Sequence, residues 1–334
     1  NDRMDLTKGS DGGGFPEEEL SHLRMLSLRG CKQPVLPDSI SNLKRLTVLN
    51  IEENLYEYLP RDLCRIRSIT DLNASKNHLY DIPPEIKGVS GLRSLNLENN
   101  YVENFPPEFF KLKKLSILNV SKNRLVEMSM DVIKLTALTK LNMERNNLTS
   151  IPSAVMDLAL KEFLVGHNRI FQLPDDLFLG KMGQVVMHFS CAENNLLELP
   201  FSTFQINQKA IFEADYNPFI SPPTYILSEG LGVLQNYLHV RLNRLNELED
   251  LLNDEDFEFL RENVSPIAAE VIEEGTGFLT PDDLEEFDQA CDEYINGDYF
   301  RCPSSGVEIV EKLTVLREKR ENDLYLEILC AMSM

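Results

Sequence analysis

The chain has 334 residues, of which 43% are hydrophobic and 26% are charged. That length predicts about two domains, and that composition excludes a wholly disordered protein. The net charge of −21 argues against a nucleic acid or an anionic membrane as the main partner, because both carry negative charge. No apolar stretch approaches the ~20 residues that are needed to span a bilayer.

The negative charge is concentrated at one end of the chain. Residues 226–334 hold 26 Asp or Glu and only 8 Lys or Arg. This shift in composition predicts a boundary near residue 225. At the other end, residues 1–14 are polar and rich in glycine, which predicts a disordered tail and shows no apolar core of a secretory signal. The six cysteines form no dense disulfide framework, so we expect a cytoplasmic protein.

A repeat of 23 residues dominates the sequence from about residue 15 to about residue 225. Six units open on an apolar residue and follow the pattern L-x-x-L-x-L-x-x-N, and three looser units follow. The opening residues of the nine units are Leu23, Leu46, Ile69, Leu92, Leu115, Leu138, Leu160, Val186 and Lys209. The ninth position is Asn54, Asn77, Asn100, Asn123, Asn146, Asn168, Asn194 and Asn217 in units two to nine, and Cys31 in the first unit.

The second half of each unit carries its own pattern, an apolar residue followed by proline. Leu59-Pro60, Ile82-Pro83 and Phe105-Pro106 share one phase of the repeat, whereas Met128-Ser129 breaks the proline column. Proline is suited to a turn because its φ is fixed and it has no amide hydrogen that needs a partner.

These two half-patterns resemble the leucine-rich repeat family in its 23-residue intracellular form. The L-P-x-x-[IL] half is similar to that of Ras-pathway scaffold proteins and plant Ras-group repeat proteins. The resemblance implies an α/β fold, namely a horseshoe-shaped leucine-rich repeat solenoid of about nine repeats with a parallel sheet on its concave face. It covers residues 15–225.

Elementary physics agrees with that fold. The L-x-L core alternates with period two, so its leucines face inward from a short strand that cannot bury them alone. Stacked units bury a continuous core, and the asparagine at the ninth position satisfies backbone groups of the bend.

After the repeats the apolar period changes to that of a helix. Leucines at three- and four-residue steps, starting at Leu231, Leu234 and Leu238, predict an amphipathic helix. Ser265-Pro266, Thr280-Pro281 and Ser305-Gly-Val-Glu308 are helix-start signals. We therefore predict a small acidic all-α domain over residues 226–334.

Catalytic signatures are absent from the sequence, since none of the phosphate-binding, dinucleotide-binding, zinc-protease or serine-hydrolase motifs occurs. The acidic segments around Asp254 and Asp288 lack the spacing of a calcium loop. Cys191 with His167 or His188 could form a nucleophilic pair. Cys191, however, occupies an inward leucine position, and we interpret it and Cys31 as small core residues. We predict no enzyme activity, no metal and no cofactor.

The outward strand position between the two core leucines is asparagine in five consecutive units: Asn50, Asn73, Asn96, Asn119 and Asn142. These side chains are either a polar docking stripe or an amide ladder that satisfies itself, and we favour the ladder. Charged residues surround them, and Glu52, Glu98 and Glu144 recur in every second unit. The residues predicted to bind a partner on the concave face are Glu52, Asp71, Asn73, Asn96, Glu98, Asn119, Lys140, Asn142 and Glu144.

These observations predict a scaffold or adaptor that binds a partner protein, by analogy of fold. The resemblance to Ras-pathway scaffolds implies a signalling role. We expect no nucleic acid, no membrane insertion and no small-molecule ligand. The alternatives are a structural subunit that docks a large assembly through its acidic helical domain, an acidic domain that contacts a basic partner such as a histone, and an enzyme with a site in that domain.

Overall fold

The computed structural model describes residues 22–32, 35–36, 38–219, 222, 224–239 and 242. The predicted tail, residues 1–14, lies outside the described residues. So does nearly all of the predicted acidic helical domain.

Nine short strands form one parallel sheet, in which the order of the strands is their order along the chain. Each strand pairs with the next at equivalent repeat positions, so that Leu49 lies beside Leu72 and Leu95 beside Leu118. The strands are β1 (Met25–Ser27), β2 (Val48–Asn50), β3 (Asp71–Asn73), β4 (Ser94–Asn96), β5 (Ile117–Asn119), β6 (Lys140–Asn142), β7 (Glu162–Leu164), β8 (His188–Ser190) and β9 (Ile211–Glu213). This arrangement confirms the predicted solenoid, including its three looser repeats.

Most repeats return to the sheet through a short 3-10 helix. These helices span Asp38–Asn42, Leu63–Arg65, Pro84–Gly88, Pro107–Lys111, Met130–Lys134, Ser153–Asp157 and Phe201–Gln205, and two short α-helices are α1 (Lys181–Val185) and α2 (Thr224–Ser228). Pro83 and Pro106 stand immediately before their 3-10 helices. Where Ser129 replaces the proline, its Oγ accepts a hydrogen bond from the Asp131 amide at 3.2 Å and caps the helix instead.

The core lies between the sheet and the returning segments. The inward residues of a middle repeat, such as Leu92, Leu95 and Leu97, are fully buried. In the looser repeats phenylalanine takes the inward strand position at Phe163 and Phe189, whose rings lie 5.8 Å apart. These larger side chains fill the core of the looser repeats.

The chain divides into two compact units. One comprises the repeats up to Leu196 together with Gln205–Pro218, and the other comprises Leu197–Phe204 together with the residues from Phe219 onward. In the second unit residues 231–239 are helical and bury Leu234 and Leu238, as the leucine spacing predicts. The predicted boundaries at 14/15 and 225/226 stay predictions.

Candidate functional site

The inward asparagines join each repeat to its neighbours. Asn100 donates from Nδ2 to the carbonyls of Ala74, Leu97 and Glu98 at 3.1, 2.9 and 3.4 Å, and its Oδ1 accepts the Leu79 amide at 3.0 Å. Its side chain is 3% exposed. The same pattern of bonds recurs at Asn77, Asn123, Asn146, Asn168, Asn194 and Asn217. This inward ladder fixes the spacing of the outward side chains.

The residue before each inward asparagine adopts a left-handed backbone conformation, with φ between 53° and 59°. None of these residues is glycine. These residues are Glu53, Lys76, Asn99, Lys122, Arg145, His167, Glu193 and Tyr216. Two of these turn residues contact glutamates of the preceding repeat, Lys76 with Glu52 at 2.8 Å and Lys122 with Glu98 at 2.7 Å. We call the surface formed by the outward strand side chains, by Glu52, Glu98 and Glu144 just after the strands, and by these turn residues the sheet face.

The outward asparagines use their amide oxygens within their own repeats. Oδ1 accepts the backbone amide two residues later, as in Asn96 to Glu98 at 3.0 Å and Asn119 to Ser121 at 3.0 Å. The same bond occurs at Asn50, Asn73 and Asn142. The asparagines are therefore self-satisfied on their acceptor side, but through local turns and not through a ladder of amides between repeats.

Their amide nitrogens differ from repeat to repeat. Asn73 donates to Glu52 at 3.4 Å and Asn142 donates to Glu144 at 3.2 Å. For Asn50, Asn96 and Asn119, Nδ2 has no acceptor among the residues that the structure describes. These three half-buried side chains present N–H donors whose orientation is fixed by the bond at Oδ1.

Most charges on the sheet face are paired between neighbouring repeats. Glu52 lies 2.8 Å from Lys76 and 3.5 Å from Arg29, and Glu98 lies 2.7 Å from Lys122. A hydrogen bond from Arg29 lowers the pKa of Glu53 on the same surface. Two of the three recurring glutamates, Glu52 and Glu98, are therefore neutralised by cations of neighbouring repeats.

The other predicted residues lie on the same face. Lys140 pairs with Glu162 at 2.7 Å, and Asp71 accepts the Thr70 hydroxyl at 2.6 Å. Glu144 accepts only the Asn142 amide, and no cation lies within 4.0 Å of it among the described residues. The structure thus brings all nine predicted residues to one surface of repeats two to six, and their role in binding stays a prediction.

Cys191 does not form a nucleophilic site with His167 or His188. Cys191 is fully buried in the core, as predicted, and burial raises the pKa of its thiol. His167 instead contacts Glu193 at 2.7 Å and Arg145 at 3.0 Å on the surface. The prediction that Cys31 is a core residue is wrong, because Cys31 is exposed.

Sequence reasoning missed an aromatic cluster beside the sheet face. The Tyr101 ring stacks on His78 at 5.7 Å and packs near Tyr80 at 5.3 Å, and the Arg124 guanidinium lies 4.4 Å from its centre. The sequence did contain a signal for this cluster, because His78, Tyr101 and Arg124 directly follow the inward asparagines of three successive repeats.

A recess of roughly 690 Å³ lies nearby in repeats two to four, with walls that include Tyr58, Pro83 and Phe105. None of the predicted site residues lines it.

Comparisons with known proteins match the repeats. A family model described as "Leucine rich repeat" matches residues 90–148 and 113–170. No curated protein shows a significant match to this chain. Within the described ranges, no helix combines the length and the apolar character needed to cross a bilayer.

Solved structures share the fold at low identity. The crystal structure of a TDR receptor matches with a TM-score of 0.54 and 20% identity over 61% of this chain and 37% of that chain. The structure of PEPR1-AtPEP1 matches with a TM-score of 0.50 and 21% identity over 58% and 29% of the two chains. The Leptospira interrogans LRR protein LIC12759 gives a TM-score of 0.47 and 24% identity over 57% and 54%. This chain therefore spans about half or less of the length of the structures that it matches.

Proposed function

This chain is a leucine-rich repeat protein, and we propose on that basis that it binds a partner protein on its sheet face as a non-enzymatic scaffold or adaptor. Repeat proteins of this kind present an extended, rigid surface to their partners. The observation that supports the proposal is the set of oriented amide donors at Asn50, Asn96 and Asn119.

Those donors define the chemistry that a partner must supply. Each Nδ2 needs an oxygen acceptor, and a polypeptide offers one at every backbone carbonyl. Asn96 and Asn119 lie on adjacent strands, which are ~4.8 Å apart in a sheet. Because the Oδ1 bond already fixes each amide, little side-chain entropy is lost when the partner binds.

The paired charges have a secondary role in this proposal. Glu52 and Glu98 already neutralise Arg29, Lys76 and Lys122. A partner therefore gains little net attraction from them, and they set its register. Glu144 is the exception, since it has no basic partner among the described residues and favours a cation on the bound protein.

The cellular setting of this function is also a proposal. We place the protein in the cytoplasm, and the supporting observation is that Cys31, Cys64 and Cys191 are all free thiols. A role in signalling follows from the resemblance of the L-P half-repeat to Ras-pathway scaffolds. This part of the proposal is tested by locating the tagged full chain in its native cell.

Site-specific crosslinking tests the binding surface directly. A photo-crosslinking residue at Ser94 reports the sheet face, and the same residue at Ile133, in the 3-10 helix Met130–Lys134, is the matched control. We expect a discrete protein adduct from position 94 and none from position 133 when the full chain is expressed in its native cell. Adducts from position 133 alone would overturn the proposal.

Paired substitutions then test the donors themselves with the captured partner. Asn96→Asp and Asn119→Asp keep the oxygen that accepts the local backbone amide but remove the donors, whereas Asn96→Ala and Asn119→Ala remove both. Both pairs should weaken partner binding about tenfold or more, since two hydrogen bonds are lost. Unchanged affinity in both pairs would show that the amide donors do not bind the partner.

A further inference from the structure

Five turn segments of the solenoid carry charge of one sign. The five turn segments 43–47, 65–70, 87–93, 111–116 and 134–139 contain ten Lys or Arg and no Asp or Glu. They occur in a chain whose net charge is −21. Such segregation runs against the mixture of signs that a solvated surface usually shows.

The fold brings these segments to one edge of the sheet. Each segment directly precedes or enters one of the strands β2 to β6. Those strands are parallel and pair at equivalent positions, as Val48 does with Asp71 and Ser94 with Ile117. The residues that precede them therefore follow one another along the edge at which the strands begin.

Most of these cations form no ion pair with a carboxylate of the described residues. Arg65, Lys111 and Lys134 pair within their own 3-10 helices with Asp62, Glu108 and Asp131. The other seven are exposed, and no carboxylate lies within 4.0 Å of them in the part of the chain that the structure describes. We call these seven residues the basic edge: Lys44, Arg45, Arg67, Lys87, Arg93, Lys113 and Lys114.

The sheet face shows that this lack of pairing is specific to the edge. There Arg29, Lys76 and Lys122 each lie within 3.1 Å of a carboxylate from a neighbouring repeat. The same repeat geometry would allow carboxylates between the turns of the basic edge, yet the turns carry Ser, Thr, Gly and apolar residues instead. Like charges left side by side repel one another, and a bound anion removes that repulsion.

We propose that the basic edge binds an acidic polypeptide segment, rich in Asp and Glu, of a partner protein. This surface is separate from the sheet face and does not depend on the function proposed there. The segments 43–47, 87–93 and 111–116 each contribute two cations to the basic edge and the segment 65–70 contributes one, so an extended acidic chain finds partners in several registers. We expect a tolerant interaction that weakens with salt.

Two other polyanions fit the edge less well. The five segments contain no Phe, Tyr or Trp, so they offer no ring on which a base of single-stranded nucleic acid could stack. An extended membrane surface or duplex would also meet the field of the whole chain, which is strongly negative. A short acidic segment is repelled least, because it needs to approach only the basic edge.

Fluorescence anisotropy of the full chain with a labelled peptide of alternating Glu and Asp tests the proposal. The edge variant combines Lys44→Gln, Arg67→Gln, Lys113→Gln and Lys114→Gln. The matched control combines Arg29→Gln, Lys76→Gln, Lys122→Gln and Arg124→Gln, which remove equal charge from the sheet face and its neighbouring cluster. We expect the edge variant to weaken peptide binding about tenfold and the control to change it less than about twofold.

The other outcomes overturn the proposal. If the two variants weaken binding equally, attraction is diffuse and the basic edge is not a site. If the peptide does not bind even at low ionic strength, the edge has no affinity for acidic polypeptides. If oligothymidylate or phosphatidylserine vesicles bind more tightly than the peptide, and the edge variant alone abolishes that binding, the edge recognises a different polyanion. Circular dichroism of both variants shows that they remain folded.

Discussion

The side-chain nitrogen of Asn100 donates a hydrogen bond to the carbonyl of Ala74, which lies 26 residues earlier and one repeat away, at 3.1 Å. The same distance in sequence separates Asn77 from Ile51 and Asn123 from Leu97. Each of these carbonyls also accepts a hydrogen bond from the inward asparagine of its own repeat, as Ala74 does from Asn77 at 3.0 Å, so two successive asparagines share one buried acceptor. The stacking of repeats is held by directional bonds as well as by the apolar core.

Replacing Asn100 by alanine should therefore destabilise the solenoid. The substitution leaves the buried Leu79 amide without its acceptor, at about 1–3 kcal/mol, and removes one of the two amide donors to the Ala74 carbonyl, which keeps the bond from Asn77. Urea unfolding should show a lower midpoint with an unchanged slope. Asn96→Ala, which loses a single local bond on the surface, is the control and should cost about 1 kcal/mol or less. Equal midpoints for the two variants would contradict the assignment of Asn100 to the inward ladder.

The left-handed turn before that ladder gives a second prediction. Asn99 is exposed and has a φ of 57°, a conformation that β-branched residues avoid. Asn99→Val should lower the free energy of unfolding by about 1–2 kcal/mol, whereas Asn99→Gly should leave it nearly unchanged. Thermal unfolding of the two variants measures the difference. A valine variant as stable as the glycine variant would show that this turn is not left-handed.

Tyr56 gives a prediction about pH. It occupies a core position that is leucine, isoleucine or valine in most other repeats, and its hydroxyl is buried with no hydrogen-bond partner among the residues that the structure describes. Burial raises the pKa of Tyr56 from 10.0 to about 12. Between these values the unfolded chain releases the proton more readily than the folded one, so stability is full below pH 10 and falls as the pH rises towards 12.

Tyr56→Phe isolates that contribution. The variant should lose less stability than the natural sequence between pH 10 and 12. At pH 7 it should be as stable or more stable by about 1 kcal/mol, because no hydrogen bond is lost and a buried polar group is removed. Chemical denaturation at both ends of the pH range makes the measurement. A marked loss of stability at pH 7 would mean that the hydroxyl has a partner.

The thiols should differ in reactivity. Burial raises the pKa of Cys64 to about 12, and Cys191 is fully buried, whereas Cys31 is exposed. Because the thiolate is the reactive form, iodoacetamide at pH 8 should label Cys31 in the folded protein and should label Cys64 and Cys191 only after unfolding. Peptide mass spectrometry identifies the labelled sites. Rapid labelling of Cys191 in the folded state would restore it as a candidate nucleophile.

Much of the solenoid was predictable because it repeats. The spacing of Leu95, Leu97 and Asn100 in one unit defines a strand and a bend, and stacking then fixes the register of every neighbour. The predicted strand and its register are present even in the repeats that open at Leu160 and Lys209, where phenylalanine replaces leucine in the strand. Cys31 shows the limit of the argument, since it occupies an inward position of the first repeat and is nevertheless exposed.

The details of the sheet face were less predictable. The local hydrogen bond that the Glu98 amide donates to Asn96 Oδ1 depends on the turn after the strand, and a periodic pattern does not reveal turn geometry. The pairing of Glu98 with Lys122 depends on side chains that meet only when repeats stack. Nothing in the structure tests which of the predicted residues touch a partner, so that assignment stays a proposal.

The last prediction concerns where the repeats can be cut from the rest of the chain. The predicted boundary lies at residue 225, but the helix over residues 231–239 packs on Leu197–Phe204 within one compact unit. Gln235 donates to the carbonyls of Thr203 and Phe204 at 3.4 and 3.2 Å, and the His239 ring lies 6.0 Å from that of Phe204.

A chain ending at residue 225 should therefore expose the segment around Thr203 and lose cooperativity or aggregate. A chain ending at residue 242 should keep these contacts and unfold in one transition at a higher temperature. Calorimetry and light scattering of the two truncations compare them. If the shorter chain is as stable and as soluble as the longer one, the helix contributes nothing to this unit and the boundary at 225 is correct.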